Sequence, residues 1–532
     1  MTNILQTKDQ QDSLAPTIKN KLCEIVGAAQ CLTGTASAAF YTDVYRQLEV
    51  PDAVVRPSTV EQLQQLVAFT HEQGIRVTIR GGGASYTDGY LPPIKGVVII
   101  DLSLLNKIVE INEIDGYVTV EAGVTWSQLK EELGKRNLRT PFWGPFSGMK
   151  ATIGGSVSQN TISHGSGLYG ISAQSVQSVD IVLGDGSLLQ TGSASTGASP
   201  FMRHFGPDLT GLFTGDCGAL GIKARITLPL IKCRPAHRVI SFAFPDFNSM
   251  HESMRRISLE RLEDTHFALD GALSQGQIAR QDSAGQTMKI ALSILTSSPS
   301  YLAGIKQLIK SAFSARKVIS SSPYMTHYIV EGTHDAEVKS RLHRIRELTS
   351  DLGSEIPATV PAIVRGMPFA PFFNTLGPAG ERWVPLHAII PHSKVAKFHQ
   401  ELEQFYGQRS ADMQRLGIWH GGMFATVASS GFLYEIALYW PDEITAYHRE
   451  VVPQDYLANL PKHPANLEAR EYIQQLKEDI VALYIKHDGT NFQLGKAYPY
   501  ASRVSPQTLN LIKNIKQVTD PKNKLSPGTL GI

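Results

Sequence analysis

The apolar positions of the first 235 residues alternate between short strand patterns and helix patterns. Val77 and Ile79 fall on one side of a strand-like run, and residues 97–100 form a continuous apolar run as long as a buried strand. Upstream, Ser58 and Glu61 form a capping box that predicts the start of a helix. The pattern therefore predicts a first domain in which helices and strands are mixed.

From about Pro235 the pattern changes to longer helices that alternate with strands. Helices are predicted at 250–263, 300–317, 336–351, 393–406 and 466–487, and strands at 239–244, 288–295, 383–390 and 433–440. This order is typical of an α+β domain. Because 532 residues exceed what one simple core accommodates, the sequence predicts two large domains.

Two stretches are rich in glycine and poor in charge. The first follows the strand at Ile79 and has the sequence Arg80-Gly81-Gly82-Gly83-Ala84-Ser85, and the second spans 142–170. Consecutive glycines tolerate positive φ and carry no side chain, so backbone N–H groups can converge on an anion. The first stretch predicts a phosphate-binding loop, and the alternative is a tight turn between strands.

Composition and charge exclude several classes of protein. A formal net charge of +2 gives no electrostatic case for binding nucleic acid or an acidic membrane, and no apolar run is long enough to span a membrane. The N-terminus is polar and lacks an apolar signal core, which favours a cytoplasmic protein. The four cysteines form no CxxC pair, so we expect free buried thiols and no metal site.

The order of short motifs resembles the flavoproteins of the vanillyl-alcohol oxidase and p-cresol methylhydroxylase (PCMH) group. The matching segments are 80–85, 97–101, 118–123, 152–155, 169–170, 179–186, 218–222 and 520–528. The resemblance implies an α+β, two-domain PCMH-type flavoprotein. It divides the chain into an N-terminal tail and helix (1–44), an FAD-binding domain (45–235), a cap domain over the substrate (236–480) and a C-terminal segment (481–532) that returns to the FAD-binding domain.

The resemblance implies FAD as the cofactor and suggests which residues contact it. The pyrophosphate is assigned to Gly81, Gly82, Gly83, Ala84 and Ser85, and the further contacts are Thr152, Ile153, Gly154, Gly155, Asn160, Tyr169 and Ile222. Non-covalent binding is favoured because the first loop has no histidine. Tyr434, on a predicted cap strand, is the alternative for covalent attachment.

The activity implied is transfer of hydride from a small alcohol or 4-substituted phenol to flavin N5, with the flavin reoxidised by oxygen or another acceptor. Lys496, with Arg503 in reserve, would balance the negative charge of the reduced flavin, unless it is a surface lysine. Tyr86 and either Tyr498 or Tyr500 would bind the substrate hydroxyl, although a packing role is an alternative for Tyr86.

Two features depart from the phenol-oxidising branch. Ala151 and Thr152 stand where that branch has an acid/base carboxylate, and no arginine is adjacent to Tyr498 or Tyr500. Among the histidines near plausible pocket segments, which include His164 and His387, His420 is the candidate proton acceptor. A core or rim position is its structural alternative.

Two other functions stay open. A D-2-hydroxy-acid dehydrogenase would need an arginine clamp for a carboxylate, for which Arg365 and Arg382 are candidates. A non-catalytic flavin-binding subunit is suggested only by the missing carboxylate. The expected partner is a small-molecule substrate, and a homodimer is a further expectation.

Overall fold

The structure is a computed structural model that describes residues 14–280, 322–369 and 372–532. The predicted strand at 288–295 and the predicted helix at 300–317 lie outside the described residues. Within them the fold is mixed helix and sheet, as predicted.

A four-stranded sheet carries the first glycine loop. Its spatial order is β1-β2-β4-β3, and its strands are β1 (Cys31–Leu32), β2 (Ala53–Val55), β3 (Arg76–Arg80) and β4 (Val97–Asp101). β2 and β3 both run parallel to β4, as crossover connections require. The connecting helix α2 (Val60–Glu72) is capped by Thr59, one residue after the predicted start, because the Thr59 side chain accepts from the Gln62 N–H.

A five-stranded antiparallel sheet carries the second glycine-rich stretch. Its order is β5-β6-β10-β8-β9, and its strands are β5 (Ile108–Asn112), β6 (Tyr117–Glu121), β8 (Ser178–Val182), β9 (Leu188–Gln190) and β10 (Ile222–Pro229). Two short strands, β7 (Leu138–Arg139) and β11 (Ile231–Lys232), form a separate ribbon. The helices of this half are α1 (Pro16–Val26), α2, α3 (Trp126–Gly134), α4 (Ile153–Gln159), α5 (Ser166–Tyr169) and α6 (Leu209–Leu212).

The cap contains a seven-stranded antiparallel sheet of order β15-β12-β14-β13-β17-β18-β16. Its strands are β12 (Ala236–Phe244), β13 (Thr265–Asp270), β14 (Tyr324–Gly332), β15 (Ser354–Ile356), β16 (Arg382–Pro391), β17 (Trp419–Val427) and β18 (Gly431–Trp440). Eight described helices lie in this part of the chain: α7 (Phe247–Leu259), α8 (Gly271–Arg280), α9 (Asp335–Thr349), α10 (Thr359–Gly366), α11 (His392–Arg415), α12 (Ala446–Val451), α13 (Gln454–Ala458) and α14 (Leu467–Lys486). The C-terminal segment adds α15 (Pro506–Thr519).

The two faces of the cap sheet have different neighbours. One face packs on α7, α9, α11 and α14 and forms the largest apolar core. The opposite face carries Phe267, Trp419 and Tyr439, and Phe146 from the second glycine-rich stretch packs among them. The cap therefore turns this second face toward the FAD-binding half of the chain.

The last residues of the chain pack on the first sheet. Val77 N–H donates to Lys524 O at 2.9 Å, and Ser526 N–H donates to Val77 O at 2.7 Å. The ammonium of Lys516, which is 5% exposed, donates to Ala219 O and Leu525 O. A segment from the far end of the sequence thus completes the FAD-binding half.

The expectation of four free thiols is wrong for one pair. Cys23 and Cys31 form a disulfide, because α1 folds back on β1 and brings their Cα atoms to 5.1 Å. Cys217 is buried and Cys233 is partly exposed, and both are free. In the three described ranges, no helix is long and apolar enough to cross a membrane, and no group of His, Cys, Asp and Glu could hold a metal ion.

Candidate active site

The first glycine loop starts from a rigid base. Arg80, the last residue of β3, is buried and forms an ion pair with Asp101 at the end of β4. Its guanidinium also lies over the rings of Phe40 and Tyr90, at 4.8 and 5.4 Å from their centroids. Charge pairing and ring contacts therefore fix the chain direction where the loop begins.

The backbone of this loop presents unpaired donors. Within the described part of the chain, none of the five N–H groups from Gly81 to Ser85 donates a hydrogen bond. Only Gly83 in this run is fully buried and the other four residues are partly exposed, so the free N–H groups are open to acceptors that a ligand supplies. A diphosphate offers acceptors of this kind and negative charge to a nest of amides.

The two glycine-rich stretches touch each other. A Cβ on Gly82 would lie 1.6 Å from Lys150 O, and a Cβ on Gly81 would lie 2.5 Å from the Thr152 hydroxyl. Gly83 has φ +73°, in the left-handed region. Only glycine allows this close approach at Gly82, because the neighbour is backbone and cannot swing away.

The amides of the second stretch are engaged within the chain. Thr152 caps α4 by accepting from Gly155 N–H, while Ile153 N–H donates to Val124 O and Gly154 N–H donates to Ala122 O. The predicted FAD contacts at Thr152, Ile153, Gly154 and Gly155 therefore lie beside the first loop. Their role is to hold that loop by close packing, and its unpaired amides are the better anion donors.

The other predicted cofactor residues lie in different surroundings. Asn160 ends α4 with φ +53°, and its Oδ1 is buried without a hydrogen bond among the described residues. Tyr169 ends α5, partly buried, and Ile222 begins β10 and packs in the core of the FAD-binding half. Of the three, Asn160 has the unsatisfied polar atom expected of a ligand contact.

Lys496 ties the C-terminal segment to the first loop. Its Nζ donates to Asp88 O and Gly89 O, both at 2.9 Å, and its own N–H donates to Thr87 O at 3.0 Å. Burial lowers the pKa of the Lys496 ammonium to about 8. Lys496 is thus a partly buried cation that fixes the chain just after the glycine loop, rather than a surface lysine.

Tyr86, from the same loop, packs on the cap sheet. Its ring makes edge contacts with Trp383 at 5.8 Å and with His387 at 5.7 Å. The Tyr498 hydroxyl accepts from His387 N–H at 3.1 Å, and the Tyr498 ring lies 5.4 Å from the imidazole. The two tyrosines predicted to bind substrate therefore share one histidine, which is fully buried and stacks on Phe492 at 4.1 Å.

Glu435, which was not among the predicted site residues, places a carboxyl group beside this cluster. It lies opposite His387 in the register of β16 and β18, so the two side chains share a face of the sheet. Burial raises the pKa of the Glu435 carboxyl from 4.5 to about 7. Its charge also contributes to raising the pKa of Tyr86, although burial of the phenol is the larger cause.

The histidine of this cluster is neutral. Burial lowers the pKa of His387 from 6.5 to about 3, and neither ring nitrogen has a hydrogen bond within the described ranges. Both phenols stay protonated because burial raises the pKa of Tyr86 and of Tyr498. The cluster therefore combines two hydroxyl donors, a neutral imidazole and a carboxyl group that titrates near neutrality.

Four predicted residues lie away from this cluster. Tyr500 packs with Cys217 and Leu530, and Arg503 is bound to Asn491 Oδ1 and Gly489 O. The remaining two, His420 and Tyr434, have their side chains on the helix-packed face of the cap sheet.

The structure places His420, the predicted proton acceptor, beside the helix-packed core and apart from this cluster. The imidazole stacks on Tyr406 at 3.7 Å, and His420 lies opposite Leu438, which packs in the helix-covered core. Tyr434 is likewise turned into that core, where its hydroxyl bonds His399 Nδ1 at 2.9 Å. Alternation along the strand places Tyr434 on the face opposite to Glu435, away from any covalent link at the site.

The arginines considered for a carboxylate clamp are also separated. Arg382 is 4% exposed and pairs with Asp442 at 2.9 Å, and it also donates to Tyr45 O. Arg365 pairs with Glu331 at 3.2 Å. In the contacts of the described residues, neither arginine meets Tyr86, His387 or Tyr498.

Comparison with known proteins agrees with this geometry. The FAD binding domain family matches residues 51–192, which include both glycine-rich stretches. The structure superposes on p-cresol methylhydroxylase, solved with substrate bound, with a TM-score of 0.71 and 18% identity, over 97% of this chain and 96% of that chain. Residues 51–192 are therefore an FAD-binding domain, the cofactor is FAD, and the chain as a whole has a PCMH-type fold.

Curated relatives match less than half of the chain. An uncharacterized FAD-linked oxidoreductase of Mycobacterium tuberculosis is 27% identical over 241 residues, covering 44% of this chain and 50% of the relative. The glycolate oxidase subunit GlcD of Escherichia coli is 29% identical over 195 residues, covering 36% of this chain and 37% of the relative. Each match spans half or less of the relative's length, and it leaves the substrate of this chain open.

Proposed function

We propose that this protein oxidises a small alcohol or a 4-substituted phenol, and that Glu435 is its proton acceptor. The observation that carries the proposal is a partly buried carboxyl group on the same sheet face as His387, which contacts Tyr86 from the cofactor loop. Its pKa of about 7 suits a group that accepts a proton near neutral pH.

FAD, when bound, supplies the acceptor for the hydride that leaves the substrate carbon. The chain's own residues must then position the hydroxyl and remove its proton. Tyr86 and Tyr498, both protonated, would donate hydrogen bonds to the substrate oxygen. Glu435 would take the hydroxyl proton as the C–H bond breaks, so that the substrate loses one hydride and one proton and becomes a carbonyl compound.

The neutral imidazole of His387 has a positioning role in this proposal. It lies between the two tyrosine rings, at 5.7 Å from Tyr86 and 5.4 Å from Tyr498. Its backbone N–H donates to the Tyr498 hydroxyl, which fixes the oxygen while leaving the phenolic proton free to point at substrate.

A D-2-hydroxy acid is the alternative substrate class, and the name of the GlcD relative points to it. The surroundings of the cluster do not favour this substrate class, because Arg382 forms an ion pair with Asp442 and Arg503 donates its hydrogen bonds to backbone and amide oxygens. A substrate carboxylate would then lack the bidentate partner that such groups usually have.

The test is anaerobic mixing of the FAD-loaded protein with a 4-alkylphenol, a primary alcohol and a D-2-hydroxy acid. Bleaching of the oxidised flavin by either of the first two supports the proposal. Bleaching by the hydroxy acid alone favours the alternative, and bleaching by none favours a subunit that binds flavin without turnover. Readmitting oxygen then shows whether oxygen itself reoxidises the flavin.

A further inference from the structure

A second cavity lies at the junction between the FAD-binding half and the cap. It has a volume of about 170 Å³ and is lined by one side of α3, by the ribbon strand β7, and by single residues of β14 and α10. None of the residues assigned above to flavin or substrate lines it. It therefore needs a separate explanation.

The lining of this cavity is cationic. Lys130, Arg139, Arg234 and Arg365 line it, and Glu331 is the one carboxylate among the lining residues. Both oxygens of Glu331 are already used, because Oε2 lies 3.2 Å from Arg139 Nη2 and Oε1 lies 3.2 Å from Arg365 Nη2. A single carboxylate cannot neutralise four cations.

The carboxylates behind the wall do not remove the excess. Asp264 forms ion pairs with Arg341 at 3.0 Å and with Arg234 at 3.4 Å, and Glu337 lies within 4.0 Å of both arginines. Adding Arg341 to the four lining cations gives five positive groups, against three carboxylates. Lys130 makes no ion pair within the described part of the chain, so the surplus positive charge lies at the cavity itself.

Hydrogen bonding shows the same imbalance. Among the described residues, Arg139 Nε, Arg365 Nε and Trp143 Nε1 are buried donors without a hydrogen-bond partner. All three belong to side chains of the cavity wall. The wall has three buried donors without a partner, and its one lining carboxylate, Glu331, is paired on both oxygens, which matches an anion with several acceptors. Behind the wall, Asp264 Oδ1 accepts no hydrogen bond among the described residues but lies 3.4 Å from Arg234 and 4.0 Å from Arg139.

The remaining wall is apolar. It consists of Trp126, Leu129, Leu133, Leu138 and the ring of Trp143. A cavity of about 150 Å³ lined by apolar side chains is large enough to hold a benzene ring. The volume here therefore admits one ring or a short aliphatic body together with a small charged group.

We propose that this cavity is a binding site for a small organic carboxylate, separate from the candidate active site. The carboxylate would lie against Lys130, Arg139 and Arg365, and the apolar body against the two tryptophans. Arg365, which the sequence offered as a clamp for a substrate carboxylate, would thus clamp a carboxylate at this second site.

The proposal is tested by titrating the FAD-loaded protein with benzoate, following tryptophan fluorescence and heat. We expect benzoate to bind at least about tenfold more tightly than benzamide, which has the same shape without the charge. We also expect it to bind more tightly than inorganic phosphate, which lacks an apolar body. Equal affinity for benzamide would overturn the anion site, and equal affinity for phosphate would overturn the assignment to organic acids.

A pair of variants on one helix sharpens the test. Lys130→Met should weaken benzoate binding by about tenfold, because it removes a cation without leaving a buried carboxylate unpaired. Lys135→Met changes the same residue type directly after the end of α3, where Lys135 pairs with Glu132 and does not line the cavity, and it should change the affinity less than about twofold. If the two variants behave alike, the benzoate is bound elsewhere.

Alkylation of Cys233 provides a measurement that does not depend on fluorescence. This thiol lines the cavity and is partly exposed, so bound benzoate should slow its reaction with iodoacetamide. An unchanged rate at saturating benzoate would contradict the site. All these measurements are made without an oxidisable substrate, so their failure leaves the proposed oxidation untouched, and the reverse also holds.

Discussion

The cofactor loop and the substrate face of the cap are built in opposite ways. The loop uses the backbone of consecutive residues, Gly81 to Ser85, and its donors are the N–H groups that every residue except proline carries. The cap face uses the side chains of Trp383, His387 and Glu435, which come from alternate positions of separate strands. A site made of backbone groups is therefore visible as one stretch of the sequence. A site made of side chains combines residues that are far apart in the sequence.

The two regions also handle charge differently. The loop carries no ionisable side chain from Gly81 to Ser85 and relies on neutral amides. On the cap face, burial moves the pKa of Glu435 up to about 7 and that of His387 down to about 3. Substitutions in the first region should therefore affect binding, and those in the second should affect turnover and its dependence on pH.

The largest effect is expected at Gly82. Gly82→Val places a side chain where Lys150 O lies 1.6 Å from the position of its Cβ, so the two glycine-rich stretches must separate. We expect the purified variant to lack FAD, measured as the absorbance ratio of flavin to protein. Retention of FAD at wild-type affinity would show that the contact between the stretches is unimportant.

The matched control is Gly407→Ala. Gly407 lies inside α11, with no described atom within 4 Å of an added Cβ. The substitution should leave FAD content unchanged and raise the free energy of unfolding by about 0.5–1 kcal/mol, because alanine favours a helix more than glycine.

The next largest effect is expected at Glu435. Glu435→Gln removes the proton acceptor and keeps the shape, so the rate of anaerobic flavin reduction should fall by about 10²–10⁴-fold while FAD stays bound. Tyr434→Phe alters the neighbouring residue on the opposite face, where the hydroxyl bonds His399. It should lower stability by about 1 kcal/mol without slowing reduction. Equal rates of flavin reduction in the two variants would contradict the assignment of Glu435 as proton acceptor.

The pH dependence of the wild-type rate follows from the raised pKa of Glu435. A base acts when it is deprotonated, so below the apparent pKa of about 7 the rate should fall roughly tenfold per pH unit, and above it the rate should level off. Stopped-flow reduction between pH 5 and about 9 measures this profile. In Glu435→Gln the rate of flavin reduction should no longer fall as the pH drops below about 7. If the fall persists in this variant, another group causes it.

The smallest effect is expected at Lys496. Lys496→Met removes the hydrogen bonds to Asp88 O and Gly89 O, which loosens the chain after the glycine loop. We expect FAD affinity to weaken by about tenfold, measured by fluorescence of released flavin. Lys513→Met, on the exposed side of α15, is the control and should leave FAD affinity unchanged.

The sequence predicted the parts whose pattern is local. The run before Arg80, the buried strand at Val97 and the glycine loop could be recognised because periodicity and glycine spacing act over a few residues. The sequence left Tyr498 and Tyr500 as alternatives, since a segment without regular structure gives no rule for side-chain direction. In the structure Tyr86 and Tyr498 contact one histidine and Tyr500 lies apart.

The rest depended on register. The phase of β17 puts His420 on the helix-packed face, and the phase of β18 puts Glu435 opposite His387, and neither phase could be fixed before the strands were paired. An alternation count along β18 puts Glu435 on the face opposite to the apolar Phe432 and Ile436. Only the pairing of β18 with β16 shows that His387 shares this face. The Cys23–Cys31 bond was missed because a spacing of 8 residues matches no cysteine motif.

One consequence concerns how the protein matures. Lys496 bonds the turn after the glycine loop, Thr490 pairs with Ile389 of the cap, and Leu525 pairs with Val77 beside the same loop. Two of these contacts join residues 77–88 to residues more than 400 positions later in the sequence. During synthesis, residues 490–525 must therefore leave the ribosome before the pocket can close around its flavin, so newly made chains should pass through a colourless stage.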